Sequence, residues 1–411
     1  MIYLYLLAAL LLPFIGLFYI EGGALGGYPN NSTYPYMLYL FSFFLGYRVF
    51  IKRAIKVKKG EFVNTMRVPA KNFNSVRLKK RILFGLFVLL FISLFAFNGI
   101  DVLMGSMSKG EFRSQMGYFG FIMAIPTKYI FPALFTRLCC VYYVNKTQGL
   151  KRLKLDWFFY TCCLFVVIFG FTFGDKTMAI TMLLCGLIVL FWQRTRISHV
   201  FFFGLFSLVI LILTGYLFDD FLKGRSIEGV LDYIEVRAFA LSGESSWKVW
   251  DLYIHDRVNF DYFSTLLGVL GSGLIYFLLG ISKYSVIAYK FNFGTAVTAL
   301  LYPGAIDLIN SGLWNITPTA YVEGLLAGGI IGIIIFGIFG GIVFAHIYRK
   351  ISKGFYTKNY AKVSIFVVYF VNAYSAWLMS GGITTLFHPV TIMGILAAYY
   401  VIRMFEKIII K

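Results

Sequence analysis

From Ile2 to Ile20 the chain carries no charged side chain, and apolar runs of this kind recur along most of its 411 residues. Wound as helices, runs of about 17–25 apolar residues match the hydrocarbon thickness of a bilayer. Only lipid, or each other, can keep them dry. By length and hydropathy, spans are expected at Ile2–Ile20, Tyr34–Phe50, Ile82–Phe97, Gly117–Val144, Trp157–Phe173, Thr177–Trp192, His199–Phe218, Thr319–Ile347, Val363–Met379 and Pro389–Phe405. The composition agrees, with 59% hydrophobic and 14% charged residues, where a soluble domain carries roughly 25% charged. An ordinary soluble enzyme, a disordered chain and a secreted disulfide scaffold are excluded. The expected fold is an all-α polytopic membrane bundle, with residues 1–411 forming one unit. Met1–Ile20 has the look of a signal peptide. It lacks a basic leading region, and no small-x-small cleavage site follows, so it reads as a retained first span.

The net charge of +20 is an orientation signal. Ile51–Arg81 holds eleven Lys/Arg against one acid, Glu61. Asn145–Asp156, Gln193–Ser198, Tyr348–Lys362 and Arg403–Lys411 are also basic, and together with Arg48 these stretches hold 26 of the 38 basic residues. Cytoplasmic loops collect Lys and Arg. Ten spans then place both termini in the cytoplasm of a plasma (inner) membrane, with every loop alternating consistently. What remains of the chain is slightly acidic, so no nucleic-acid partner is expected.

On this topology residues 219–318 form one large periplasmic loop, far longer than a connector needs. Within it Ser226–Leu241 has helical period, with Ile227, Val230, Leu231, Ile234, Ala238 and Leu241 on one stripe. Such a helix can lie on the bilayer surface. Trp247–Phe263 follows, dense in aromatics and charges. Thr265–Ile281 is apolar enough to cross, but a crossing would turn the basic Tyr348–Lys362 outward. It reads as a re-entrant or packed segment, bent at Gly268, Gly271 and Gly273, with a pair of short spans as the alternative.

No P-loop, GxGxxG, HExxH, GxSxG or CxxC motif is present, which argues against ATP-driven transport and most soluble chemistries. Cys139, Cys140, Cys162, Cys163 and Cys185 all fall inside apolar segments and read as small apolar helix residues. No metal site is expected.

Cations in costly places are the first candidates for function. Lys128 lies between Pro126 and Pro132, where the helix opens and frees carbonyls. It reads equally as a lipid-phosphate contact and as a snorkelling lysine, whereas Arg137, nearer the cytoplasmic end, is expected to snorkel. Lys176 sits in a tight turn at headgroup level. Arg113, Arg225, Arg237 and Arg257 present planar forks suited to phosphate oxygens. Among acid/base groups, Glu244, Glu323, His255 and His388 stand out. Glu323 is a lone carboxylate one turn into a span, favoured there by the helix dipole in the bland reading. Trp247, Trp250, Tyr253, Phe260 and Tyr262 offer flat faces to sugar rings, with an interfacial aromatic belt as the competing reading.

The layout, with many spans and one large late loop, resembles that of Wzy-type polymerases of lipid-linked oligosaccharide repeat units, the O-antigen polymerases. Three local features join it. Gly174-Asp175-Lys176 opens a span where such proteins often show Gly-Ser-Arg. Arg237 is followed by Phe239 and Gly243 in the large loop, and Arg257…Gly268 matches an Arg-x10-Gly spacing. Thr317–Val343 is similar to the family's proline-, Glu- and Gly-rich segment after that loop. The resemblance implies a GT-C-like membrane glycosyltransferase of about ten or more spans, with no cofactor. It would move a growing glycan from one undecaprenyl pyrophosphate onto another lipid-linked repeat, with a chain-length regulator as partner and membrane lipids around it. Its needs are a base, cations for the leaving pyrophosphate, and a glycan-holding surface. Glu244 or Glu323 would meet the first. Arg237, Lys176 and Arg113, with Lys128, would serve the second, and the aromatic stretch with Trp247 and Trp250 the third; Arg257 and His388 are further substrate-binding candidates. The alternatives are an O-antigen ligase, acting through a loop histidine such as His255, and a polysaccharide or lipid flippase.

Overall fold

The computed structural model describes residues 1–56, 75–96, 98–104, 125–147, 156–172, 176–192, 241–271, 287–310 and 316–410, with islands at 204–205, 209, 229, 236, 275 and 278–280. Among the described residues the chain is helical, with no strand. The principal helices are α1 (Ile2–Glu21), α2 (Thr33–Lys56), α3 (Ser75–Phe91), α4 (Phe131–Thr147), α5 (Trp157–Thr172), α6 (Lys176–Leu190), α7 (Leu241–Ile254), α8 (Ala320–Tyr356), α9 (Tyr360–Ser380) and α10 (Pro389–Ile410). Among the described residues four segments are long and apolar enough to cross a bilayer: Ile2–Glu21, Ala320–Tyr356, Tyr360–Ser380 and Pro389–Glu406. Large apolar side chains such as Phe41, Phe84, Leu164, Ile331 and Tyr400 stay exposed on the bundle's flanks. Water penalises such a surface and lipid does not, so the chain is an all-α membrane protein.

The expected spans that fall on described residues coincide with helices. His199–Phe218 lies outside them apart from 204–205 and 209, as do residues 117–124 of Gly117–Val144. The surface helix expected at Ser226–Leu241 is described only at 229, 236 and 241.

Two ends of the bundle differ in chemistry. At one, which we call the basic end, Tyr3 meets Tyr47 and Tyr348, Trp192 stacks on Tyr348 and Phe355, and Lys79 pairs with Asp156 at 2.7 Å. At the other, the insertion end, residues 241–271 and 316–323 pack onto the loops at 21–33 and 381–388.

Small residues let the helices approach closely. A Cβ on Gly341 would lie 2.0 Å from the Phe43 carbonyl oxygen, one on Gly46 2.3 Å from that of Ile338, and one on Gly337 2.8 Å from that of Tyr39. Lipid tails are as apolar as leucine, so helices in a membrane gain from such close backbone packing more than from hydrophobicity. The α2–α8 seam is therefore glycine-built. Gly170 against Ala179 makes a second close crossing, between α5 and α6.

α8 is two helices. Thr319, after Pro318, caps it by accepting the Val322 N–H. The helix then breaks at Gly328–Gly329, where Gly329 takes φ +60°. A Cβ on Gly332 would stand 2.0 Å from the Gly324 carbonyl oxygen, so the half-helix 320–327 packs face to face against the start of 330–356. The sequence reading of Thr319–Ile347 as one continuous span is corrected by this break.

Arg137 does not snorkel. It is buried, its Nε lies 2.8 Å from Glu406 Oε1, and Arg403 completes the network at 3.1 Å from Oε2. The apolar bundle gives a buried guanidinium no water, so a carboxylate from α10 meets it. The cysteines are free thiols packed among α4, α5 and α6.

Candidate functional site

The insertion end is organised by α7. Its first turn carries Gly243, where a Cβ would stand 2.4 Å from the Gly16 carbonyl carbon, so the helix lies directly against the backbone of α1. Ser245 and Ser246, both buried, reach the Thr317 carbonyl and the Thr319 hydroxyl at 3.2 Å. The second half of α7 holds the 24–32 loop. Trp247 Nε1 donates to the Tyr28 carbonyl and Trp250 Nε1 to the Asn30 carbonyl, each at 3.0 Å. Asn30 Nδ2 donates back to the Trp247 carbonyl at 3.3 Å, and the Tyr28 hydroxyl donates to Asp251. Trp247 is 7% exposed. It anchors this loop and presents no open face, which corrects its reading as a sugar platform. Trp250 is half-buried and stacks on Tyr253.

Glu244 is the centre of a small polar cluster. Its Oε1 accepts from Lys248 Nζ at 2.7 Å and from the Tyr302 hydroxyl, and Lys248 also reaches that hydroxyl. The ammonium lies over the Tyr302 ring, 4.2 Å from its centroid. Glu244 and Lys248 are 12% and 30% exposed along their side chains, a partly dry pair within reach of solvent. Burial opposes the Lys248 charge, but the Glu244 and Tyr302 contacts outweigh it, so the ammonium is held above the ordinary lysine value. Burial and the Glu244 carboxylate together push the Tyr302 phenol up. Lys248 and Tyr302 did not emerge from the sequence. The i,i+4 spacing of Glu244 and Lys248 was the available signal for one of them.

Glu323 is 1% exposed and engaged on both oxygens. The Tyr262 hydroxyl donates to Oε1 at 3.1 Å, Trp377 Nε1 to Oε2 at 2.8 Å, and the Ile383 N–H to both at 2.8 and 2.9 Å. That last donor is presented by a turn in which Gly381 and Gly382 take φ +63° and +74°. A general base needs a free lone pair within reach of its substrate. Glu323 instead ties Tyr262, α8 and α9 together.

Lys128 is exposed within a π-helical turn, Pro126–Ile130, and its carbonyl accepts from Asn372 Nδ2. The Lys128 carbonyl, left without an amide partner by Pro132, is thus met by Asn372, and the Thr136 hydroxyl bonds back to the Pro132 carbonyl at 2.6 Å. His388 accepts the Val390 N–H on Nδ1 at 3.2 Å, and its Nε2 faces Gly271. Burial, then the Lys128 charge, lowers its affinity for a proton below the ordinary imidazole value. Lys128 and His388 therefore share one corner of the insertion end. The helix Tyr262–Leu267 ends near them in a bend at Gly271, φ +86°. With the islands at 275 and 278–280, this is the described part of the Thr265–Ile281 segment. His255 is exposed, with Nδ1 2.8 Å from the Asp251 carbonyl, and Arg257 is exposed beside it.

Arg113, Arg225 and Arg237 lie outside the described residues, as does the side chain of Lys176. Among the described residues no three His, Cys, Asp or Glu side chains converge as a metal site. Compared with protein-family models, curated proteins and solved structures, the chain matches none.

Proposed function

We propose that the chain polymerises undecaprenyl-pyrophosphate-linked oligosaccharide repeat units in the bacterial plasma membrane, as a GT-C-like glycosyltransferase of about ten or more spans. In this reading the basic end faces the cytoplasm and the insertion end the periplasm. The carrying observation is the Glu244–Lys248–Tyr302 cluster, a partly buried acid/base group at the insertion end. Supporting it is the basic end, where Lys79, Arg81, Arg137 and Arg403 outnumber their acidic neighbours Asp156 and Glu406.

Glu244 is the base in this scheme, because Glu323 is already saturated. Both bonds to Glu244 fall on Oε1, and Oε2 serves the acceptor sugar. The acceptor hydroxyl attacks the anomeric carbon of the donor glycan. The new C–O bond forms as the C–O bond to the lipid pyrophosphate breaks, the proton passes to Glu244, and the pyrophosphate leaves with both electrons. Arg237, Arg257, Arg113, Lys176 and Lys128 supply positive charge to that leaving group, and His388, whose Nδ1 accepts the Val390 N–H, offers it a neutral Nε2–H donor. A chain-length regulator is the expected protein partner.

A ligase is the second reading. It is favoured by His255, whose Nδ1 contact with a carbonyl fixes Nε2 as the accepting nitrogen. Gene deletion followed by separation of surface glycans tests both. Loss of the long ladder with one repeat still attached supports polymerisation. No attached repeat points to ligation or transport, and an unchanged ladder overturns the assignment.

A further inference from the structure

The short helix Tyr262–Leu267 and the turn that carries it on to Gly271 have two unlike faces. One face is held by the protein. Thr265 and Gly268 are buried, and a Cβ on Gly268 would stand 2.5 Å from the Phe291 carbonyl oxygen. The Tyr262 hydroxyl ties the helix start to Glu323. The other face carries Phe263, Leu267 and Leu270, whose i, i+4, i+7 spacing puts them on one stripe. They are 81%, 47% and 43% exposed. Among the described residues no large apolar side chain is more exposed than Phe263. Water penalises such a stripe, and the contacts on the inner face keep it from turning inward.

Its depth follows from α10. A Cβ on Gly271, where the turn ends, would lie 3.3 Å from His388 Nε2, and His388 immediately precedes α10. The apolar stretch Pro389–Glu406 has 18 residues. As a helix it is about 27 Å long, against roughly 30 Å of hydrocarbon to cross. None of that length can be spared, so His388 stands at the boundary between acyl chains and headgroups. The turn packed against His388 stands at the same depth. Leu396, Met393, Ile392 and Phe387, each about half exposed, carry an apolar lipid-facing surface up to that level.

We propose that the Phe263–Leu270 stripe is a lipid-docking surface, lying in the bilayer plane at the acyl–headgroup boundary of the leaflet on the insertion side. The stripe holds no charged side chain, so it takes acyl chains and not headgroup charge. Residues 262–271 then neither cross the membrane nor hang in water. Through Tyr262 the embedded stripe is coupled to Glu323 and the half-helix 320–327. The proposal does not rest on glycosyl transfer.

The test uses the full-length protein in phosphatidylcholine nanodiscs. A nitroxide is placed on Phe263→Cys, Leu267→Cys or Leu270→Cys in a chain whose five native cysteines are replaced by alanine. Asp256→Cys, at an exposed turn position, is the aqueous reference. Oxygen concentrates in lipid and a nickel chelate stays in water. The three stripe positions should favour oxygen over nickel several-fold more than position 256 does. Stripe positions that match position 256 overturn the proposal. Shielding from both reagents also overturns it, because protein and not lipid then covers the stripe. A second arm uses the unmodified protein and decides alone if the cysteine-free chain does not accumulate. Phosphatidylcholine carrying a diazirine near the carboxyl end of its acyl chain should leave adducts within Tyr262–Leu270 as well as on Ile392–Leu396. Adducts on α10 with none within Tyr262–Leu270 overturn the proposal. Neither arm reads the glycan ladder, so failure here is distinct from failure of the polymerase reading.

Discussion

The indole N–H of Trp377 donates to Glu323 Oε2 at 2.8 Å and joins α9 to the half-helix that opens α8. Removing the carboxylate strands this donor together with the Tyr262 hydroxyl and the Ile383 amide. A buried donor left unsatisfied costs about 1–3 kcal/mol. Glu323→Ala should therefore accumulate poorly in the membrane. Glu323→Gln keeps one acceptor oxygen and turns its NH2 toward a donor, for a loss of about 1–3 kcal/mol. Thermal unfolding alongside the glycan ladder separates the two roles: a Gln variant that unfolds normally yet makes no polymer would restore Glu323 as a base.

Glu244 should behave in the opposite way. It is partly exposed and shared between Lys248 and Tyr302, so Glu244→Gln should fold while losing about 10²–10⁴-fold in polymer formation, the usual share of a general base. Tyr302→Phe keeps the Glu244–Lys248 pair and should retain most stability. Normal ladder length in Glu244→Gln would remove the base from this cluster.

The buried pair Arg137–Glu406 predicts a sharp asymmetry. Arg137→Ala leaves a carboxylate uncompensated inside the bundle, at about 3–5 kcal/mol. Replacing both partners by apolar residues, Arg137→Met with Glu406→Leu, should recover most of that loss. A double variant no more stable than Arg137→Ala would mean the pair contributes through something other than charge neutralisation.

These relationships differ in how far the sequence discloses them. The helices at Ile2–Glu21, Trp157–Thr172 and Pro389–Ile410 follow from long apolar runs, up to Ile20, Thr172 and Ile402 respectively, because lipid forces each backbone group to bond within its own segment. The partner of Arg137 lies 269 positions away, and local pattern carries no information about it. α7 was hidden by Gly243, Ser245 and Ser246, which look like loop residues. They are small because α7 crosses α1 at Gly16 and packs against Thr317 and Thr319. The aromatic wealth of Trp247–Phe263 was visible, but not its use in clamping the 24–32 loop, since that use depends on carbonyls far along the chain.

The glycine seam orders substitutions by what each new methyl meets. At Gly341 it would strike the Phe43 carbonyl oxygen at 2.0 Å and the Tyr47 nitrogen at 2.6 Å, both backbone. At Gly340 it would meet the Phe43 ring at 3.1 Å, which can yield. Gly341→Ala should therefore push α2 and α8 apart and cost more than the roughly 1–3 kcal/mol of ordinary overpacking, with Gly340→Ala well below it. Melting of the two purified variants checks the order, and equal losses would mean the seam relaxes freely.

His388 gives the pH dependence. Its folded-state proton affinity lies below the ordinary value of 6.5, through burial and the Lys128 charge. The unfolded chain therefore binds a proton at higher pH than the folded one does. The contribution to stability is complete above about pH 6.5 and is lost as the pH falls toward the lowered value. The apparent Tm should fall between pH 7.5 and 5.5, and His388→Asn should flatten that slope. Lys128→Gln, which removes the second cause but not the burial, should flatten it only in part. An unchanged slope in His388→Asn would assign the titration elsewhere.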